Sequence, residues 1–192
     1  MISFDEAYKN TPPWDTGRPQ PEIVRLVNMG KIKGTVLDVG CGSGENSLYL
    51  AEKGYRVIGI DSAPTAIAKA MLKAADRDLK VTFFAFDALH LGCLGTTFDT
   101  AIDLGLFHTF SDNARPLFVS SLAEVLRPGG TYHMLCFSEL ENGSSGPRRV
   151  TQEEIRHSFR DGWVISSIRE ARFETNFEKG SCFAWLSSII RL

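Results

Sequence analysis

The chain has 192 residues, of which 43% are hydrophobic and 23% are charged, and its formal net charge at pH 7 is −2. This length suits one domain with a substantial apolar core, and such an apolar composition excludes a disordered chain. The slightly acidic charge excludes the strongly basic surface of a typical nucleic-acid-binding protein, and no apolar run is long enough to span a bilayer.

The N-terminus and the cysteines indicate the cellular compartment. Met1–Glu6 contains acidic residues where a secretory signal peptide would carry basic ones. The four cysteines are far apart and form no Cys-x-x-Cys pair, so neither a zinc site nor a disulfide framework is expected. We therefore predict a cytoplasmic protein with reduced thiols and no bound metal. The sequence does not predict an oligomeric state.

The N-terminal segment is predicted to contain an irregular stretch followed by one short helix. Thr11–Pro19 includes three prolines and a glycine, which exclude a regular element there. Ile23, Leu26 and Val27 then recur at helical spacing, and Gly30 can end the helix.

Apolar strands and amphipathic helices alternate from this point to residue 137. The predicted strands are Thr35–Val39, Arg56–Ile60, Val81–Phe86, Phe98–Leu104 and Thr131–Phe137. The predicted helices are Glu45–Lys53, Pro64–Ala75 with Ser62 as its cap, and about Asn113–Leu126. Strands that alternate with helices form right-handed crossovers, so these five strands should lie parallel in a sheet covered on both faces.

The C-terminal part of the chain breaks this alternation. Thr151-x-x-Glu154 matches a capping box for a helix that ends near Arg160. Two strand-like stretches follow, Trp163–Phe173 and Cys182–Ile190, and their connection is too short for a crossover helix. The sequence therefore predicts an α/β fold with a doubly wound, mostly parallel, seven-stranded sheet that carries an antiparallel hairpin at its C-terminal end.

A glycine-rich loop, Asp38-Val39-Gly40-Cys41-Gly42-Ser43-Gly44, joins the first predicted strand to a helix. In open α/β sheets ligands bind beyond the carboxyl ends of the strands, and glycines allow the backbone to approach a ligand closely. The spacing is G-x-G-x-G, whereas nicotinamide-binding loops usually read G-x-G-x-x-G and face a pyrophosphate. A carboxylate at Asp38 would repel a pyrophosphate, and it suits a ligand that carries positive charge.

A second acid, Asp61, comes at the end of the second predicted strand. Such a carboxylate can accept hydrogen bonds from both hydroxyls of a ribose. The alternative interpretation is a helix cap beside Ser62, a role that aspartate often takes. The glycine loop that precedes it favours ribose binding.

The segment Val36–Gly44 resembles motif I of class I methyltransferases that use S-adenosylmethionine (SAM). Four further landmarks of that family follow in order: Gly59–Ser62, Phe86–Ala88, Phe98–Asp103 and Leu126–Gly130. The resemblance covers residues from about 34 to 137 and implies SAM as the methyl donor, with the loop backbone at its methionine part, Asp61 at the ribose and Asp87 at the adenine amine. The residues expected to bind the cofactor are Trp14, Asp38, Gly40, Cys41, Gly42, Gly44, Asp61, Ser62, Asp87, Ala88, Asp103 and Leu104.

The segment Thr11–Pro19 is similar to the one before the first helix in thiopurine, thiol and halide methyltransferases and in small bacterial relatives proposed to act on quinones or phenols. This resemblance implies that Trp14 packs over the cofactor, since an indole face attracts a sulfonium. Residues 1–30 would then cover the cofactor within a single domain of residues 1–192, and residues 138–150 are a second candidate lid. The alternative interpretation is that Trp14 only anchors the N-terminus to the core.

The acceptor of the methyl group is expected near the loop after the fourth strand. His108 is the histidine placed to accept a proton from a phenol or a thiol, and the alternative is a histidine hydrogen-bonded to the backbone. An apolar wall is expected from Trp14, Leu106, Phe107, Phe110 and Phe137, with Arg148 and Arg149 at its rim. Such a wall favours a small, flat acceptor such as a phenol, a quinol or an aryl thiol, and no nucleic acid.

Two other functions remain open at this point. An NAD(P)-dependent oxidoreductase would share the strand order and the ribose-binding acid, although the glycine spacing and Asp38 oppose it. A SAM-binding protein without catalysis would carry the same motifs, and the sequence offers no test of it.

Overall fold

The predicted strands assemble into one seven-stranded sheet in the structure, a computed structural model that describes residues 3–143 and 146–192. The strands are β1 (Thr35–Val39), β2 (Arg56–Asp61), β3 (Thr82–Ala85), β4 (Phe98–Leu104), β5 (Leu126–Phe137), β6 (Trp163–Glu174) and β7 (Ser181–Arg191). The α-helices are α1 (Phe4–Tyr8), α2 (Pro21–Asn28), α3 (Glu45–Glu52), α4 (Pro64–Asp76), α5 (Ala114–Val125) and α6 (Gln152–Ser158). Short 3₁₀ helices cover Ala88–Leu94 and Phe107–Thr109.

The strand order is β3-β2-β1-β4-β5-β7-β6. The first five strands pair in parallel, while β7 pairs antiparallel with both β5 and β6. The chain moves outward from β1 to β3 and then returns to place β4 on the other side of β1, so the carboxyl ends of β1 and β4 diverge at a switch point. This order confirms the predicted doubly wound sheet with its C-terminal antiparallel hairpin.

Both faces of the sheet are buried, as the apolar runs of the strands require. In β5, Met134 and Cys136 belong to the apolar cluster that packs against α5 and α6, whereas Leu135 and Phe137 belong to the cluster on the α2 side. Successive side chains on a strand point to opposite faces, so one fully apolar strand serves both cores. No helix in the described part of the chain has the length and apolarity needed to cross a membrane.

Three local predictions differ from the structure. Strand β5 begins at Leu126, because that residue pairs with Phe98 before the chain turns through the following glycines. The N-cap of α4 is Ala63, and Ser62 makes no capping hydrogen bond there. Helix α1 was not predicted, although Ser3 caps it by accepting a hydrogen bond from the backbone N–H of Glu6.

Candidate functional site

A cavity of about 390 Å³ opens at the carboxyl edge of the sheet, beside the switch point. Gly40 follows β1, Asp61 ends β2, Leu104 ends β4 and Phe137 ends β5, and all four residues line this cavity. A smaller cleft of about 60 Å³ adjoins it and is lined by the glycine loop. The parallel strands therefore deliver residues from separate parts of the sequence to one place.

The glycine loop lies between the two spaces in a conformation that other residues rarely adopt. Gly42 has φ +55° and Gly44 has φ +89°. A Cβ atom at Gly42 would lie 2.3 Å from the hydroxyl of Tyr8, and one at Gly44 would lie 2.8 Å from the Cβ of Ala70. The loop thus needs glycine both for its backbone angles and for the close approach of α1 and α4.

The carboxylate of Asp61 braces this loop against the start of α4. Its Oδ2 accepts a hydrogen bond from the backbone N–H of Gly42 at 2.9 Å, and its Oδ1 accepts one from Ala63 at 2.9 Å. Burial raises the pKa of this carboxyl. Asp61 and Ser62 line the large cavity, and each carboxylate oxygen has lone pairs beyond the one that it uses here.

Two other predicted cofactor residues, Asp38 and Asp103, lie behind the walls of both spaces rather than in them. Asp38 accepts a hydrogen bond from the hydroxyl of Ser47 at 2.6 Å, and burial raises its pKa to about 7. Asp103 accepts from the phenol of Tyr132 and from two backbone N–H groups of the loop after β4, while burial raises its pKa to about 6. In the described structure Asp38 thus ties the end of β1 to helix α3, and Asp103 holds the loop after β4.

Asp87, the acid after β3, also lines the large cavity, together with Phe86 and Ala88. Asp87 also caps the following 3₁₀ helix by accepting a hydrogen bond from the backbone N–H of Leu89 at 2.9 Å. Cys41 lines only the smaller cleft.

Trp14 also lines the large cavity, where it packs against two aromatic rings from α1. Its indole N–H donates to the hydroxyl of Tyr8 at 3.0 Å, and its ring meets Phe4 and Tyr8 edge to face at centroid distances of 6.0 and 6.2 Å. All three residues line the large cavity. The sequence signal for α1 was Ser3 as a helix cap with Asp5 and Glu6 in the first turn. A helix predicted from this signal would have included Tyr8.

The N-terminal segment is fastened to the tip of the β6–β7 hairpin. Asn176 donates from its backbone N–H to the carbonyl of Pro13 and from its side chain to the carbonyl of Asp15, both at 2.7 Å. Gln20 exchanges two hydrogen bonds with the backbone of Glu174, at 2.9 and 3.0 Å. Hydrogen bonds therefore join the N-terminal segment to the β6–β7 hairpin, and both line the large cavity.

The hairpin contributes cavity residues that the sequence did not reveal. Phe173, Thr175 and Phe177 all line the large cavity. Their side chains reach the site only because the hairpin packs on β5, a long-range pairing of the fold. The alternating pattern of β6 was a signal for a strand and gave no indication of a ligand.

The prediction of an apolar wall is correct for four of its five residues and wrong for Phe107. Trp14, Leu106, Phe110 and Phe137 line the cavity. Phe107 is fully buried in the core instead, where its ring packs against the rings of Phe118 on α5 and Phe159 just after α6. This burial depends on long-range packing, which the local sequence does not disclose.

The two arginines predicted at the rim of the cavity, Arg148 and Arg149, do not line it. Arg148 instead forms ion pairs with Asp112 and Glu154. Within the candidate lid of residues 138–150, Gly146 and Pro147 line the cavity, while residues 144 and 145 lie outside the described residues.

His108 lines the cavity, but its hydrogen bonding differs from that of a general base. The backbone N–H of Phe137 donates to its Nδ1 at 3.0 Å, and the ring packs 4.7 Å from the ring of Phe137. Burial, with smaller contributions from the nearby cations Arg149 and Arg115, lowers its pKa to about 3. The imidazole is thus neutral and hydrogen-bonded to the backbone, which is the alternative interpretation of this residue and argues against proton abstraction.

Comparison with known proteins gives consistent matches. Residues 36–130 match the model of a family described as a methyltransferase domain. The chain is 39% identical to 2-heptyl-1-hydroxyquinolin-4(1H)-one methyltransferase of Mycobacteroides abscessus, over 86% of this chain and 74% of that protein.

Solved structures agree with this match. One from work on the conversion of a disulfide bond into a thioacetal group during echinomycin biosynthesis has a TM-score of 0.90 and 36% identity, over 98% of this chain and 91% of the other. Magnesium protoporphyrin IX methyltransferase from Synechocystis PCC 6803, solved with bound SAM, has a TM-score of 0.67 and 25% identity over 89% and 76% of the two chains.

Proposed function

Because this chain belongs to the family of SAM-dependent methyltransferases, we propose that it transfers the methyl group of SAM to the oxygen or sulfur of a small aromatic acceptor. A phenol, a quinol or an aryl thiol is the acceptor class. The observation that carries the proposal is that carboxylates at strand ends and a set of aromatic rings line the same large cavity. Family membership also favours methyl transfer over the nicotinamide oxidoreductase considered from the sequence.

The carboxylates at the strand ends fit SAM, which supplies a methyl group on a positively charged sulfur. Burial, together with the neighbouring acids Asp103 and Asp61, raises the pKa of Asp38, so a cation bound beside these acids would be stabilised. Asp61 would hold the ribose, Asp87 the adenine amine and the glycine loop the methionine part.

The aromatic residues of the cavity fit a flat, weakly polar acceptor. Phe110, Phe137, Phe173 and Phe177 line the cavity, and no Lys or Arg is among its described lining residues. Ligand pockets that bind aromatic molecules are built from such rings with a few polar groups. A nucleic acid would need a basic track along its backbone, so this lining supports a small molecule.

The relatives support both kinds of accepting atom. The Mycobacteroides abscessus enzyme is named for a hydroxyquinolinone, and the structure from echinomycin biosynthesis comes from work on a disulfide and a thioacetal. An aromatic hydroxyl and a sulfur atom are thus the two acceptors to test first.

In this proposal the protein acts by alignment and by exclusion of water. Residues 1–192 form one catalytic domain, in which residues 1–30 cover the cofactor. The aromatic rings orient the acceptor for in-line attack, and the N-terminal segment and hairpin close the site together, since hydrogen bonds join them. Holding two reactants in the attacking geometry removes much of the entropic barrier.

A panel of acceptors tests the proposal. With SAM carrying a CD₃ group, we expect mass spectrometry to detect labelled products from thiophenol, 4-nitrophenol, a naphthohydroquinone or 1-hydroxyquinolin-4(1H)-one. Bulk tRNA and casein should remain unlabelled. Labelling of tRNA or casein, with none of the small aromatics accepted, would contradict the proposed acceptor class.

Two matched variants locate the acceptor within this assay. Phe177 lines the cavity and Phe84 lies on β3 outside it, and both side chains are 44% exposed. Phe177→Ala should lower kcat/KM for an aromatic acceptor by about threefold to tenfold, the contribution of one aromatic contact. Phe84→Ala should leave it unchanged.

A further inference from the structure

The hydrogen bond to His108 fixes which of its ring nitrogens carries a proton. The backbone N–H of Phe137 points at Nδ1, so Nδ1 must be the unprotonated, accepting nitrogen. In a neutral imidazole the proton is then on Nε2. His108 therefore presents an N–H donor at Nε2, and its basic lone pair on Nδ1 is already engaged by the N–H of Phe137, so the ring cannot take a proton from an acceptor while it keeps that hydrogen bond.

Thr175 supplies a second donor in the same cavity. Its side chain is 5% exposed, and its hydroxyl has no hydrogen-bond partner among the residues that the structure describes. A buried hydroxyl without a partner destabilises the folded state, because its lost hydration is not replaced. Thr175 lines the large cavity, so a ligand there would give this hydroxyl its missing partner.

The surroundings of these two donors favour negative charge. The rings of Phe137 and Phe173 pack around His108 at centroid distances of 4.7 and 6.3 Å. The charged groups that act on His108 are the cations Arg149 and Arg115. The guanidinium carbon of Arg149 lies 5.8 Å from the centroid of the Phe137 ring. An anion beside His108 and Thr175 would meet two hydrogen-bond donors, with the cations Arg149 and Arg115 nearby.

We infer that His108 Nε2–H and the hydroxyl of Thr175 bind the acceptor as an anion, so that the enzyme selects aromatic hydroxyls and thiols already ionised at neutral pH. This inference rests on the proposed function and specifies its acceptor. An electron pair of the acceptor anion forms the new bond to the methyl carbon, the bond between that carbon and the sulfonium breaks, and its electron pair stays on sulfur. No proton passes to the protein.

The pH dependence of the reaction distinguishes this role from that of a base. For a series of para-substituted thiophenols and phenols, kcat/KM should rise with pH up to the pKa of each acceptor, and the inflection should move from one acceptor to the next. An inflection that stays at one pH for all acceptors would indicate an ionising group of the enzyme and overturn the inference.

Substitutions at the two donors test their contribution to binding. His108→Asn keeps an oxygen near the Nδ1 position for the N–H of Phe137 and removes the Nε2–H donor, whereas His108→Gln places an amide N–H near Nε2. Thr175→Val removes the hydroxyl at nearly constant shape. We expect His108→Asn and Thr175→Val each to weaken binding of 4-nitrophenolate to the complex with S-adenosylhomocysteine by about tenfold, and His108→Gln to weaken it less. Unchanged binding in both Asn and Val variants would overturn the inference.

A spectroscopic measurement separates this inference from the proposed function. In protein with ¹⁵N-labelled histidine, the His108 resonances should show a proton on Nε2 and none on Nδ1 throughout pH 5 to 8. A proton on Nδ1, or titration in that range, would overturn the anion-binding role and leave methyl transfer to small aromatics standing. Absence of methyl transfer to every small aromatic would instead contradict the proposed function.

Discussion

Replacing Gly42 with alanine is expected to weaken SAM binding by about two orders of magnitude. The new Cβ would lie 2.3 Å from the hydroxyl of Tyr8, in a backbone conformation with φ +55°. Overpacking of this kind costs about 1–3 kcal/mol, and the left-handed conformation costs a further 1–2 kcal/mol for a residue with a Cβ. The Tyr8 hydroxyl must move to relieve this clash, and because it accepts the indole N–H of Trp14 at 3.0 Å, its movement would disturb Trp14 at the cavity.

Gly54 provides the matched control for this substitution. It also has a positive φ, +87°, but an added Cβ there would meet nothing within 4 Å. Gly54→Ala should lower the free energy of unfolding by about 1–2 kcal/mol, as the backbone strain alone requires, and should not change the Kd for SAM. In the Gly42→Ala protein, Tyr8→Phe should restore part of the affinity. Equal SAM affinities of the two alanine variants would contradict the role given to Tyr8 and Trp14.

Asp61→Ala is expected to weaken SAM binding by about 10- to 150-fold in calorimetry, which corresponds to about 1.5–3 kcal/mol for a lost charge-assisted hydrogen bond. The carboxylate lines the cavity and also accepts hydrogen bonds from Gly42 and Ala63. The substitution therefore removes both a ligand contact and the brace of the glycine loop.

Asp87→Ala separates these two effects. Asp87 also lines the cavity, but its side chain is 58% exposed, and its contacts are with the following 3₁₀ helix, through the backbone N–H of Leu89 and the imidazole of His90. Its loss should weaken SAM binding by less than tenfold, because exposed polar contacts contribute less than buried ones. A larger loss for Asp87→Ala than for Asp61→Ala would place the main anchor of the cofactor at the adenine end.

The sheet could be predicted from the sequence because its strands are apolar on both faces. Runs such as Thr35–Val39 can be buried only between two helical layers, and the helices between them impose parallel order. The capping box of Thr151 and Glu154 was likewise local, and the structure contains both of its hydrogen bonds. The start of β5 could not be predicted, since it depends on the pairing of Leu126 with Phe98 across the sheet.

The candidate site could be predicted where it depends on the glycine loop and on the ends of strands. Asp61 and Asp87 both line the predicted cavity. For Asp38 and Asp103 the residue type gave no sign of how deeply each would be buried, because burial follows from packing by Ser47 and Tyr132. The contribution of the hairpin depends on contacts between residues more than 150 positions apart, as in the hydrogen bond between Asn176 and Asp15.

His108 illustrates the same limit at the level of chemistry. A histidine after β4 is correctly placed to meet an acceptor, and the sequence therefore suggests a base. Whether it accepts or donates depends on the backbone N–H of Phe137, which a parallel strand brings to its Nδ1. The protonation state of a buried histidine follows from such contacts and not from its position in the sequence.

A crystal structure with S-adenosylhomocysteine and 4-nitrothiophenol tests most directly whether cofactor and acceptor share one cavity. We expect the adenosine between Asp61 and Asp87, and the aryl ring between Phe137 and Phe173 with its sulfur turned toward the sulfur of the cofactor. Adenosine in this cavity with the aryl ring bound outside it, away from His108 and the hairpin, would contradict a shared cavity.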